Sequence, residues 1–200
     1  MIEASFDAHL LKDTTVVMPS LSFANNDLKA VETLVHQLSL KKIGSLFSPN
    51  LQPVIFEQSS HTACDVYQSL EVYPRLTVIC IRSRVVGMSD FMSQLEHFLA
   101  QVDARMFMLS SLASLFSVHD GSEVSRLRGR GLDISLNVKN IHEGDELMGC
   151  GLLRYVVDND HEMKIKCLTV TAGGPDSEAS QLLVRGTIAA LQIGSETRDA

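Results

Sequence analysis

Apolar and polar positions follow two rhythms along this chain, one strand-like and one helical. Thr14 to Met18 is a β-branched, apolar run closed by Pro19-Ser20, which predicts a buried strand. Asn25, Asn26 and Asp27 then offer side-chain oxygens for the free N–H groups of a helix start. Leu28, Val31, Leu34, Val35 and Leu38 recur at helical spacing and form one apolar stripe. Lys41 to Phe47 reads as the next strand. Strand, amphipathic helix and strand in this order predict a right-handed crossover and a largely parallel sheet.

Residues 48–69 are polar and turn-rich, with Pro49 and Pro53. Strand patterning resumes at Leu70–Tyr73 and Leu76–Ile81, a hairpin pattern turning at Pro74-Arg75. Ser89 and Asp90 are cap candidates for a helix that buries Phe91, Met92, Leu95, Phe98 and Leu99. Arg105 to Leu109 is a further buried strand, and the Ser-broken run to Phe116 suits either strand or helix. From 119 to 147 the chain is rich in Gly, Arg and acids, which predicts a loop-rich insertion with at most one short element. Cys150–Val157 and Met163–Val170 read as two strands joined at Asp158-Asn159-Asp160. Gly173-Gly174-Pro175-Asp176 breaks the pattern before a final helix from Ser177 to Gln192, with Ala179, Leu182, Leu183, Ile188 and Leu191 as its apolar positions. No repeat or linker separates two cores, so residues 1–200 are expected to form a single α/β domain.

Composition agrees with that size of core. The chain has 200 residues, 45% hydrophobic and 20% charged, and a mean hydropathy of +0.11. These values oppose disorder and favour some apolar surface. A net charge of −7 opposes general nucleic-acid binding, which needs clustered cations against phosphate. Cys64, Cys80, Cys150 and Cys167 are widely spaced without a CxxC pair, and Cys80 and Cys167 fall in apolar strand patterns as buried thiols would. The start, with Glu3 and Asp7, has no basic or apolar leader pattern, and no run of about eighteen apolar residues exists. Cytoplasm and nucleus are the expected locations.

Candidate chemistry is sparse. Ser110 or Ser111 with His119 and Asp120 supplies the residue types of a hydrolytic triad, but GxSxG is absent and adjacent His and Asp side chains diverge. Gly173-Gly174 before a helix is a place where free N–H groups can meet an anion, yet neither GxxxxGK[ST] nor GxGxxG occurs and no Lys lies in the loop. His61 and Cys64 lack a second pair for a zinc site. The acidic groups His142, Glu143, Asp145, Glu146 and Asp158, Asp160, His161, Glu162 have no EF-hand spacing and read as solvated loop faces. The run Arg126-Leu127-Arg128-Gly129-Arg130-Gly131 is the one basic concentration; without interleaved aromatics it reads as a surface loop or an acidic-protein contact rather than an RNA site. No catalytic, metal or cofactor residue is predicted, and interface residues are not assigned.

The order of several segments carries a resemblance. DTTVVMPSLSFANNDLKAVETLVHQLSLKKIGSLFSP (13–49) contains an opening strand, an M-P-x-x-S turn and a first helix. EVYPRLTVICIRSR (71–84) has an E-V-Y step and a strand ending in Arg82-Ser83. FMSQLEHFLAQVDARMFMLSSL (91–112), GCGLLR (149–154) and LTVTAGGPDSEASQLLVRGTIAAL (168–191) complete the series. In this order, over most of the chain, they resemble the proteasome assembly chaperone 2 family. The resemblance implies a three-layer α/β/α domain of phosphorylase-like topology with a largely parallel or mixed sheet, and no enzymatic activity. It further implies a heterodimer with proteasome assembly chaperone 1 that gathers 20S proteasome α subunits into a ring and blocks off-pathway α-ring dimers. The hydrophobic-Tyr-X tail found in such pairs has no match in Ser195–Ala200. Tail docking is then expected of the partner, unless this chain is a divergent or truncated form. A nucleoside-phosphorylase-like enzyme and a homo-oligomeric scaffold are the competing readings.

Overall fold

The computed structural model describes residues 1–54, 61–69, 75–113, 127–132, 139–141, 147–159 and 165–193. The first strand–helix–strand unit forms as the periodicity requires: β2 (Thr15–Pro19), α1 (Asn26–Gln37) and β3 (Lys41–Phe47), preceded by a two-residue β1 (Glu3–Ala4). β4 (Cys64–Ser69) and β5 (Leu76–Ile81) follow, then α2 (Met88–Gln101) and β6 (Arg105–Ala113). Two short strands, β7 (Leu127–Arg130) and β8 (Lys139–Asn140), precede α3 (Leu153–Asn159), β9 (Lys166–Ala172) and α4 (Ser177–Ala190).

The strands lie in the order β1-β3-β4-β5-β2-β6-β9-β7-β8. β5, β2, β6 and β9 are mutually parallel and form the centre. Antiparallel pairs β4–β5, β3–β4 and β1–β3 extend one side, and β7 pairs antiparallel with β9 on the other. Although α1 joins β2 to β3, β4 and β5 lie between those two strands.

Period-two alternation in the central strands feeds two cores. Val16, Met18, Ile79, Ile81, Met106 and Met108 pack with α2 and α3 residues such as Phe91, Leu95, Leu153 and Val156. Val17, Val78, Cys80, Phe107 and Leu109 point the other way, onto Val31 and Leu34 of α1 and Leu183 of α4. Two apolar faces with helices on both are the three layers of an α/β/α sandwich. Gly186 of α4 permits close approach, because a Cβ there would stand 2.6 Å from Leu168 Cδ2.

Several expectations change. Residues 150–157 are not a strand: Leu152, Leu153, Val156 and Val157 are buried at i, i+1, i+4, i+5, which is helical spacing, and all but Leu152, which immediately precedes it, lie in α3. The interval 48–69 contains β4, hidden from pattern reading because its Asp65 and Gln68 are polar yet buried. Gln68 Nε2 donates to the Leu10 carbonyl at 2.8 Å and to Thr77 Oγ at 3.0 Å. The Ser-broken run after Leu109 continues as strand to Ala113. The helix caps also differ. Asn25 precedes α1 in a left-handed conformation without a side-chain cap bond, and α2 starts behind Gly87, ahead of Ser89 and Asp90. The strand expected at 70–73 lies outside the described residues. Within 119–147 the chain contributes two strands rather than one short element, and Leu127–Arg130 of the basic run pairs with β9 instead of looping.

Candidate functional site

In open α/β sheets, ligand sites form where parallel strands end at their carboxyl termini. At that end of β2 and β6 this chain holds a buried hydroxyl cluster. Ser20 Oγ donates to Asp27 Oδ2 at 3.1 Å and lies 2.8 Å from Ser110 Oγ, which donates to the Cys150 carbonyl at 3.1 Å. Ser22 N–H donates to Asp27 Oδ2 at 3.0 Å, and Ser111 Oγ donates to the Phe23 carbonyl at 2.9 Å. Ser110 and Ser111 are therefore buried and committed to neighbouring loops, not raised as nucleophiles. His119 and Asp120 lie outside the described residues. Replacing Ser110 by Ala is expected to cost about 1–2 kcal/mol of unfolding free energy, measured by urea titration, as for a buried hydrogen-bonding group.

The Gly173-Gly174 turn is likewise occupied by the chain's own groups. Asn26 Nδ2 donates to the Gly174 carbonyl at 3.0 Å, and Asp176 N–H donates to Asn26 Oδ1 at 2.8 Å. Asp176 caps α4, accepting the Glu178 N–H at 2.9 Å. A carboxylate already sits where a phosphate would meet the helix start.

Above the hydroxyl cluster two loops interlock. Leu21, Ala24 and Asn25 hold positive φ of 60°, 73° and 54°, and the opposing Gly149 and Gly151 hold 68° and 58°. Phe23 N–H donates to the Gly149 carbonyl and Leu152 N–H to the Ser20 carbonyl, both at 2.6 Å, while Ala113 N–H reaches the Met148 carbonyl at 2.8 Å. Non-glycine residues in this region carry strain and persist only where their surroundings over-determine them. The strained loops present Phe23 and Met148 to solvent, 60% and 48% exposed.

These two side chains belong to a wider pattern. Among the described residues the exposed large apolar side chains are Met1, Leu10, Phe23, Phe47, Val54, Val86, Met88 and Met148. All but Leu10 lie at the carboxyl end of the parallel strands. Phe47 closes β3, and Val86 and Met88 follow β5. Val54 follows the Leu51–Val85 bridge, and Met1 precedes β1, whose Glu3 pairs with Phe47. Met1, Phe47 and Val54 line one groove of about 480 Å³. Contiguous exposed apolar patches mark protein or membrane contacts or ligand grooves.

A second polar centre ties β3, β4 and β5 together under α1. Asp65, fully buried, accepts from Lys42 Nζ at 2.6 Å, Arg82 Nη1 at 2.7 Å and Thr62 Oγ at 2.8 Å. His61 Nδ1 lies 3.1 Å from Asp65 Oδ2, the oxygen that also accepts from Arg82, and Arg82 Nε also holds Glu32 at 2.9 Å. Burial pushes the Asp65 carboxyl up, but the bonds from Lys42, Thr62 and His61 outweigh it and hold it below the usual carboxylate range. A polar pocket of about 540 Å³ beside this knot is lined by Glu32, His36, His61, Tyr67 and Arg82.

The remaining sequence candidates do not assemble. All four cysteines are buried and outside any disulfide, and burial pushes the Cys80 thiol up to about 12 and Cys64 further, away from thiolate chemistry. No group of three or more His, Cys, Asp or Glu side chains placed to hold a metal ion occurs among the described residues. Asp158 pairs with Arg154 Nε at 2.8 Å, while 142–146 and 160–162 lie outside the described residues. No described helix is long and apolar enough to cross a membrane. Sequence reasoning missed Asp65 and the apolar end. Single exposed apolar residues carry no signal until the topology gathers them.

Neither a family model nor a curated relative matches the sequence. Solved structures do match. PbaA from Pyrococcus furiosus, an archaeal homolog of proteasome-assembly chaperone, superposes with a TM-score of 0.69 at 12% identity, covering 99% of this chain and 89% of its own. PbaB from the same organism, an archaeal proteasome activator, gives 0.67 at 16% identity, covering 96% and 88%. A proteasome-assembly chaperone homologue from Mycobacterium tuberculosis gives 0.60 at 12% identity, covering 93% and 89%. The chain therefore carries, over nearly its whole length, the α/β/α fold of proteasome-assembly chaperone homologues.

Proposed function

We propose that the chain is a non-enzymatic chaperone of 20S proteasome assembly. It acts as a heterodimer with proteasome assembly chaperone 1, promotes α-ring formation and prevents off-pathway α-ring dimers. The observation that carries this reading is the apolar end of the sheet: seven exposed large side chains gathered where an enzyme of this architecture would keep a polar site. The full-length likeness to chaperone homologues supports it. So do the hydroxyl cluster and the Gly173-Gly174 turn, whose groups bond one another rather than face a substrate. In this reading residues 1–200 work as one domain with 119–147 as an insertion, in cytoplasm and nucleus.

Co-expression with proteasome assembly chaperone 1 and the 20S α subunits, followed by native mass measurement, tests it. A one-to-one heterodimer carrying α subunits is the expected result; a chain that elutes alone or only as a homo-oligomer overturns it. Phe23→Ser should weaken recovery of these chains at least tenfold while leaving the melting temperature nearly unchanged, because an exposed side chain contributes to contact rather than to the core.

A further inference from the structure

Three of the seven exposed apolar side chains at the carboxyl end of the sheet are methionines: Met1, Met88 and Met148. Met88 opens α2 behind Gly87 and is 47% exposed. Met148, 48% exposed, stands in the interlocked loop, where its carbonyl accepts the Ala113 N–H and that of Gly149 accepts the Phe23 N–H. The methionines inside the molecule are the reverse: Met18, Met92 and Met108 are 0% exposed and Met106 6%. Susceptibility of a thioether to an oxidant follows its exposure, so the accessible methionines among the described residues are gathered on one surface. The other usual targets are withdrawn. The sequence has no Trp, and all four cysteines are buried. A peroxide attacks the thiolate, whereas burial pushes the thiols of Cys64, Cys80 and Cys150 up and keeps them protonated. A thioether has no proton to lose and needs no such activation.

We propose that Met88 and Met148 are reversible oxidation sites that switch partner contact off at this end of the sheet. Hydrogen peroxide delivers one oxygen atom to each sulfur. The O–O bond breaks and an S–O bond forms; the sulfur loses two electrons, and the peroxide is reduced to water. The sulfoxide is polar, so a partner surface that covers it must desolvate an S–O group with no donor in return. Methionine sulfoxide reductases reverse the step: the oxygen leaves as water while a dithiol becomes a disulfide. Neither side chain belongs to the two cores, so the fold tolerates the change. The loss of contact rests on the chaperone reading proposed above; the selectivity of oxidation follows from exposure alone.

The test follows the full-length chain through a hydrogen peroxide time course by peptide mass mapping. Peroxide is then removed, and capture of proteasome assembly chaperone 1 and 20S α subunits is measured. Met88 and Met148 should gain oxygen about tenfold or more faster than Met18, Met92, Met106 and Met108, with the melting temperature nearly unchanged. Capture by the oxidised chain should fall about tenfold or more, and return after treatment with sulfoxide reductases and dithiothreitol. A double variant, Met88→Leu with Met148→Leu, keeps apolar side chains of similar volume and should capture its partners equally before and after peroxide. Three results would overturn this proposal while leaving the chaperone reading in place. They are equal oxidation of buried and exposed methionines, undiminished capture by the oxidised chain, and peroxide-sensitive capture in the double variant. An untreated chain that captures neither partner overturns both.

Discussion

Asp65→Asn is expected to lower the unfolding free energy by about 3–5 kcal/mol, as breaking a buried ion pair from one side does. The physical reason is the number of donors that converge on one carboxylate. Lys42, Arg82, both donors of Thr62 and His61 all point at Asp65, and Asn offers one neutral oxygen in return. Arg82 is nearly buried, so losing this partner leaves a guanidinium whose remaining ion-pair partner among the described residues is Glu32. Urea unfolding at pH 7 measures the loss, and pairing Asp65→Asn with Arg82→Met should recover part of it by removing the stranded charge. The sign of the pH dependence follows from the depressed carboxyl. Its folded pKa lies below its unfolded value of about 4, so the contribution is complete above that value and is lost as pH falls through the folded pKa. Wild type should therefore lose stability on acidification below about pH 4 more steeply than the Asn variant. A change under about 1 kcal/mol at neutral pH would show that the knot is a set of solvent-screened contacts rather than a buried network.

Gly151→Ala should be comparably damaging for a steric reason. Gly151 holds φ +58°, and a Cβ there would run into the Ser20 carbonyl oxygen and stand 2.6 Å from that of Leu21. Those atoms are backbone and cannot swing aside. The left-handed conformation costs about 1–2 kcal/mol for an L side chain, and overpacking adds about 1–3 kcal/mol. The control is Gly173→Ala, where a Cβ meets open space and the expected change is within about 0.5 kcal/mol. Thermal unfolding of the two variants side by side checks the contrast. Equal melting temperatures would mean that the 148–152 loop slides away from Ser20 at little cost. A further consequence is specific to Gly151→Ala: the amide of Phe23, bonded to Gly149, should exchange with solvent faster.

How much of this was readable beforehand depended on whether a residue's role was local. The α1 stripe and the Lys41–Phe47 strand follow from spacing within one element, and the structure keeps them with the same residues. The order of segments was enough to indicate the three-layer fold. The spans misread were those where polar residues are buried by distant partners. Asp65 and Gln68 made β4 look like loop, and their partners Lys42, Arg82 and Leu10 lie from 17 to 58 residues away. Leu152-Leu153 and Val156-Val157 suited either period, and two positive-φ glycines, invisible as such in sequence, fixed the entry to the helix. The apolar end was unreadable for a different reason. Its members come from the ends of separate strands, and only the sheet order brings them together.

The clamp made by Asn26 has a bearing on timing. It holds residues 148 and 150 positions further along, and Ser20 meets Ser110 across 90 positions. Contacts that span so much of the chain are entropically costly to close and form after local structure. A ribosome-bound chain lacks the clamp until residue 176 has been synthesised, 150 positions after Asn26. Complete presentation of Phe23 and Met148 thus waits for α4, and on the proposed chaperone reading a nascent chain should bind poorly until that helix has emerged.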